Sequence, residues 1–101
     1  MKYGIYTRHT AKPGQRDQLV ATLLAAGDQL QDIPDCIHWV VNTAEDPDVV
    51  WINVVWASKE AHDATLQLEH VRALIGEARQ FLSETVVPEQ IFLTPVGGKG
   101  L

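Results

Sequence analysis

Four histidines, three tryptophans and two tyrosines carry most of the chemical capacity of this 101-residue chain. The densest grouping lies between residues 53 and 71. Asn53 and Trp56 end an apolar run, and His62, Asp63 and His70 follow. Imidazole exchanges protons near neutrality, so His70 or His62 could serve as a base. Tyr6, Trp39 and Trp56 offer ring faces on which a flat aromatic molecule could stack. A pocket built from these groups would bind a planar ring and remove a proton from it. On an unbroken helix His62 and His70 would share one face, about 12 Å apart. They could not touch, and Leu66 would lie between them. Asp63 is too far along such a helix to orient His70. His62, early in the helix, is expected nearer the solvent. His9 and His38 lie in strand-like segments and are read as serving a polar or interface face.

Those side chains need elements to position them. Lys2 to Thr10 is rich in Tyr, Ile and Thr and reads as a strand, broken by Lys12-Pro13-Gly14. Leu19, Leu23, Ala26, Gly27 and Leu30 recur at helical spacing, which predicts one amphipathic helix over 15–30. Cys36 to Thr43 and Val49 to Ala57 read as strands around the turn Glu45-Asp46-Pro47-Asp48, with the nearly all-apolar third strand in the sheet centre. Ser58 is a candidate N-cap, with Glu60 in the first turn. Leu68, Val71, Leu74, Ile75, Ala78, Phe81 and Leu82 mark the buried face of a long second helix, with a break expected near 66–69. Val86 to Thr94 is the last strand. Pro88 cannot donate to a ladder, so this strand starts late or lies at an edge.

The order β-α-β-β-α-β, with right-handed crossovers, predicts an α+β fold of the ferredoxin-like type. Four antiparallel strands would carry both helices on one face. Residues 1–95 are expected to form a single domain and 96–101, with Gly97, Gly98 and Gly100, a flexible tail. Alternation along strands two and three makes both sheet faces apolar: Ile37, Trp39 and Val41 oppose His38, Val40 and Asn42, and Val50, Ile52, Val54 and Trp56 oppose Trp51, Asn53 and Val55. Helices can cover only one face, so the other is expected to pair two copies sheet to sheet. Asn53, opposite in parity to Trp56, is placed on that second face.

Composition removes several classes of function. A net charge of −5 with eight scattered Lys and Arg residues gives no basic stripe, which argues against nucleic acid. The single cysteine, Cys36, cannot form an internal disulfide and has no neighbour to activate it, so a reducing compartment is expected. No apolar run is long enough for a membrane span and no leader-like segment opens the chain, so a cytoplasmic location is expected. There is no closely spaced His/Cys set for zinc or iron, no GxGxxG or phosphate-binding loop, and no Gly-x-Ser-x-Gly. No metal or cofactor is therefore expected.

Lys12-Pro13-Gly14, Ile33-Pro34-Asp35-Cys36 and Trp56-Ala57-Ser58-Lys59-Glu60-Ala61, together with length and element order, resemble the antibiotic biosynthesis monooxygenase family. The resemblance covers almost the whole chain. It implies a dimeric α+β barrel. It also implies oxidation of a quinol-like or polycyclic aromatic small molecule by dioxygen, without metal, flavin or haem. Trp56 matches the family Trp at the end of strand three, Ala61 the small residue at the helix start, and His70 a His that many members carry. The resemblance thus makes His70 and Trp56 the expected catalytic residues, with Tyr6, Trp39 and His62 around the substrate. Val54, Ile52, Thr65 and Asp35 replace residues that members often have as Glu, Asn, His and Gly. The implied pocket wall is therefore less polar, which suits an apolar aromatic. Haem-degrading relatives need an Asn on strand one, which is absent here. The alternative is a small-molecule binding protein, or a small-metabolite isomerase, on the same dimeric scaffold.

Overall fold

In the computed structural model, which describes residues 1–101, the chain runs β1 (Tyr3–Thr10), α1 (Arg16–Gln29), β2 (Cys36–Thr43), β3 (Val49–Trp56), α2 (Lys59–Thr65), α3 (Glu69–Arg79) and β4 (Glu89–Leu93). The strands form one antiparallel sheet in the order β2-β3-β1-β4. This is the expected ferredoxin-like α+β arrangement, with β3 central. No helix is long and apolar enough to cross a membrane.

Local chemistry explains the boundaries. Gly14 takes φ 76°, a left-handed conformation that costs little without a Cβ, and so closes the turn after Pro13. Arg16 then donates from Nη1 to the carbonyls of Ala44 (3.0 Å) and Asp46 (2.9 Å), tying the start of α1 to the β2–β3 turn. Pro88 immediately precedes β4, so the strand begins at Glu89, and it occupies the sheet edge. Both outcomes follow from the missing N–H of proline.

The second helical region is two helices, with the break inside the expected stretch 66–69. The Ser58 hydroxyl caps α2 by accepting from the Ala61 N–H (3.0 Å), as its sequence position suggests. The helix stops at Thr65, whose hydroxyl bonds back to the Ala61 carbonyl (2.9 Å). Leu68 then adopts φ −67°, ψ 133°, an extended conformation that no α-helix can pass through, and α3 begins at Glu69 in a new direction.

Strand alternation divides the sheet. Val50, Ile52, Val54 and Trp56 from β3 form the core with Leu19 and Leu23 of α1 and Ala78 of α3. Tyr3, Trp39 and Val41 pack against them, on the same side of the sheet. Gly4, Tyr6, His38, Val40, Asn53, Val55 and Leu93 face the other way, where no helix lies. Trp56 is 2% exposed, whereas Tyr6 and Val40 are 39% and 44% exposed. The segment 95–101 lies along this open face. Val96 and Leu101 border its groove, and His38 Nε2–H donates to the Gly100 carbonyl at 2.6 Å.

Candidate active site

Between the sheet and the helices is a cavity of about 360 Å³. Its walls are mainly apolar: Ile5, Ile52 and Val54 from the sheet, and Leu23, Leu74 and Ala78 from the helices. It could accept a ligand of a few fused rings. Its polar lining comes from His9, Thr7, Thr22, Gln90, Arg79 and His62, and no Asp or Glu borders it.

His62 is the best-organised of these groups. The Ser58 cap starts α2 directly after β3, so the first turn projects His62 over the end of the sheet. Its ring lies edge-on to Trp56, with centroids 5.6 Å apart and planes at 74°, and 5.4 Å from the ring of Tyr3. Nδ1 is 3.0 Å from Asp63 Oδ1. An ionised carboxylate only accepts, so Nδ1 carries a hydrogen and donates it to Asp63. Asp63 is held in turn by Lys59 Nζ at 2.8 Å. The hydrogen bond from Lys59, followed by that from His62, keeps the Asp63 carboxyl below the usual carboxylate range. The order Lys59–Asp63–His62 thus presents an imidazole, oriented through Nδ1, to the cavity.

His70 is elsewhere. It is the second residue of α3, exposed, and does not border the cavity. The shared face expected for His62 and His70 required an unbroken helix, and the extended Leu68 removes it. Tyr6 is also displaced from the expected substrate set. It pairs with Asn53 on β3 and Ile91 on β4, and its side chain borders the open-face groove with Asn53. Trp39 and Trp56 do line the cavity. Trp39 is fixed there because Nε1–H donates to the Leu23 carbonyl (3.0 Å) and Gly27 leaves room for the ring. A Cβ on Gly27 would lie 2.6 Å from Trp39 Cδ1.

Two residues escaped the sequence reading. Spacing sets Asp63 too far from His70 to orient it, and its partner is the adjacent His62. His9, expected on a polar or interface face, lines the cavity. Its alternation with Ile5 and Thr7 was the available signal. Burial pushes the His9 pKa below its ordinary value. Cys36 is half-buried, and burial pushes its thiol pKa up, away from thiolate chemistry. No group of three or more His, Cys, Asp or Glu side chains is arranged to hold a metal ion.

Comparison with known proteins gives the family. The model of the antibiotic biosynthesis monooxygenase family matches residues 3–77. A protein from Chloroflexus aurantiacus, provisionally described as an antibiotic biosynthesis monooxygenase, is 36% identical; 97% of this chain and 96% of that one are covered, with a TM-score of 0.84. A Mycobacterium tuberculosis protein shares the fold at 17% identity, 98% and 99% coverage and a TM-score of 0.82. So does a variant of SnoaB, a cofactor-independent oxygenase from Streptomyces nogalater, at 12% identity, 97% and 96% coverage and a TM-score of 0.80. No curated protein sequence matches the chain. A family match across three-quarters of the sequence, on a fold shared end to end, identifies this chain as a member of the antibiotic biosynthesis monooxygenase family.

Proposed function

We propose that this protein is a cofactor-independent monooxygenase that oxidises a quinol-like or polycyclic aromatic molecule with dioxygen in the cavity beside Trp56. The observation that carries the reading is His62, its Nδ1 bonded to Asp63 and its ring against Trp56 at the cavity wall. Nε2 takes a phenolic proton from the bound ring, and Asp63 stabilises the imidazolium that forms. The electron-rich anion passes one electron to dioxygen. The resulting radical pair joins through a new C–O bond at a ring carbon. The O–O bond then breaks, one oxygen stays on carbon and the other leaves as water with two protons. For a naphthalene-1,4-diol the balance is diol plus dioxygen to hydroxynaphthoquinone plus water. The apolar walls exclude bulk water from the anion, and Trp39 and Trp56 bound the space in which the ring lies.

Of the two candidate bases, His62 is assigned the role because it is the histidine of α2 and α3 that borders the cavity. An oxygen electrode with naphthalene-1,4-diol as substrate, comparing wild type with His62→Ala and His70→Ala, tests the assignment. A loss in His70→Ala with His62→Ala left near wild type would return the role to His70. No oxygen uptake across a panel of quinols would remove the oxygenase reading.

The apolar Ile52 and Val54 wall also favours a second reading, a binding protein or small-metabolite isomerase without oxygen chemistry. Thermal stabilisation by an aromatic ligand without oxygen uptake would select it. In either case we propose a cytoplasmic homodimer joined through the open sheet face. Tyr6, Val40, Ile91 and Leu93 support this, since all are large, apolar and exposed in the single chain.

A further inference from the structure

His9 is the one residue of the cavity wall with a sealed, unpartnered polar atom. Its Nδ1 is buried from solvent and has no hydrogen-bond partner. The strands explain the position. His9 pairs with Val50 on β3, and alternation puts it on the same sheet face as Ile5 and Thr7. Thr7 sits opposite Gln90 of the edge strand β4, so these side chains gather at the β1–β4 end of the cavity. His62 and Trp56 belong to the other end, where β3 passes into α2.

The chemistry of a sealed Nδ1 selects a tautomer. Burial disfavours the imidazolium, so the ring is neutral and carries one hydrogen. A buried N–H without an acceptor is a rarer and costlier orphan than an unused lone pair. The hydrogen therefore sits on Nε2, and Nδ1 keeps the lone pair. Nε2 is not among the sealed, unpartnered atoms. It is the polar atom with which the ring can meet a ligand. Arg79 borders the same cavity without a carboxylate partner, and no acidic residue lines the space. This end of the cavity is rich in donors and biased toward negative charge, inside a protein whose net charge is −5.

We propose that His9 is a specificity-determining residue, donating from Nε2 to an oxygen acceptor at the end of the ligand remote from His62. The ligand class is an aromatic ring system with a carbonyl, enolate or phenolate oxygen at that end. A hydrocarbon of the same shape is the molecule it rejects. The inference rests on the cavity being the ligand site, as proposed above. It adds a second anchor that fixes which way round the ring lies.

Two isosteric probes test it: 1-acetylnaphthalene, which has the acceptor, and 1-isopropenylnaphthalene, which does not. Their dissociation constants are read from tryptophan fluorescence quenching. Wild type is expected to bind the ketone more tightly than the hydrocarbon by roughly fivefold, the value of one neutral hydrogen bond. His9→Phe keeps a ring and removes the donor, so the preference should vanish while hydrocarbon binding stays within about twofold. His9→Gln restores a donor and should recover part of the preference. If both probes bind and His9→Phe leaves the preference intact, or weakens both probes equally, the His9 role falls alone. If neither probe binds wild type, the proposal falls together with the reading of the cavity as the ligand site.

Discussion

The two faces of the sheet are made by the same strands, yet they differ in almost every physical respect. On one side Val50, Ile52, Val54 and Trp56 are sealed under helices and leave a small cavity with few, oriented polar groups. On the other Tyr6, Asn53, Val40 and Val55 line a broad groove of about 560 Å³, bordered by the C-terminal segment. The first face can dehydrate a small molecule and aim an imidazole at it. The second has exposed apolar side chains with no helix over them and is suited to a large, flat partner. The difference shows that a strand contributes two unrelated surfaces, and that a residue's role follows from its parity before its chemical type.

The comparison sharpens through variants that touch one face at a time. The largest effect is expected at His62. His62→Ala should lower turnover roughly 100- to 10,000-fold, the usual range for a lost general base, with His70→Ala within about twofold; steady-state oxygen uptake measures both. The open face should respond in assembly. Val40→Asp places a carboxylate in the proposed interface, a penalty of about 3–5 kcal/mol if left unpaired. Sedimentation should show a dimer for wild type and a monomer for the variant, with ligand binding in the cavity unchanged. A monomeric wild type would break the assignment of the open face.

A smaller effect is expected where the cavity wall is tightest. Gly27→Ala drives a Cβ to 2.6 Å from Trp39 Cδ1, so the indole must shift and strain its bond to the Leu23 carbonyl. Overpacking of this kind costs about 1–3 kcal/mol, a Tm loss of roughly 5–15 °C in a domain of this size. The smallest effect is a slope with pH. Burial holds the folded-state pKa of His9 below its ordinary value of 6.5. The unfolded chain therefore takes up this proton first on acidification, so the contribution to stability is complete above pH 6.5 and is lost as the pH falls toward the lower folded value. Arg79, on the same cavity, adds to the cost of charging the ring. Wild type should lose Tm more steeply than His9→Gln in that window; equal slopes would show that His9 is not sealed.

Much of the architecture was legible because it is local. The Ser58 cap, the turn at Gly14, the late start of β4 after Pro88 and the bounds of β2 follow from short-range rules of hydrogen bonding and backbone freedom. Asn53 was placed on the open face from its parity to Trp56, and it lies there. The site was harder. Tyr6 has a ring fit for stacking, but its parity is opposite to that of Ile5 and Thr7, which border the cavity. His70 rests on the resemblance alone; the extended Leu68, within the expected break, separates it from the helix that carries His62 to the cavity.

The sequence by itself determined the order and type of the elements, the apolar character of both sheet faces, and the strand-to-helix junction at Trp56 and Ser58. These depend on periodicity and capping, which act within a few residues. Only the tertiary structure decided which parity of β1 faces the helices, which histidines border the cavity, and that Asp63 serves His62. Those outcomes depend on where α1, α2 and α3 dock on the sheet. Docking is settled by the packing of residues far apart in the chain, such as Leu19, Val50 and Ala78, which no local pattern encodes.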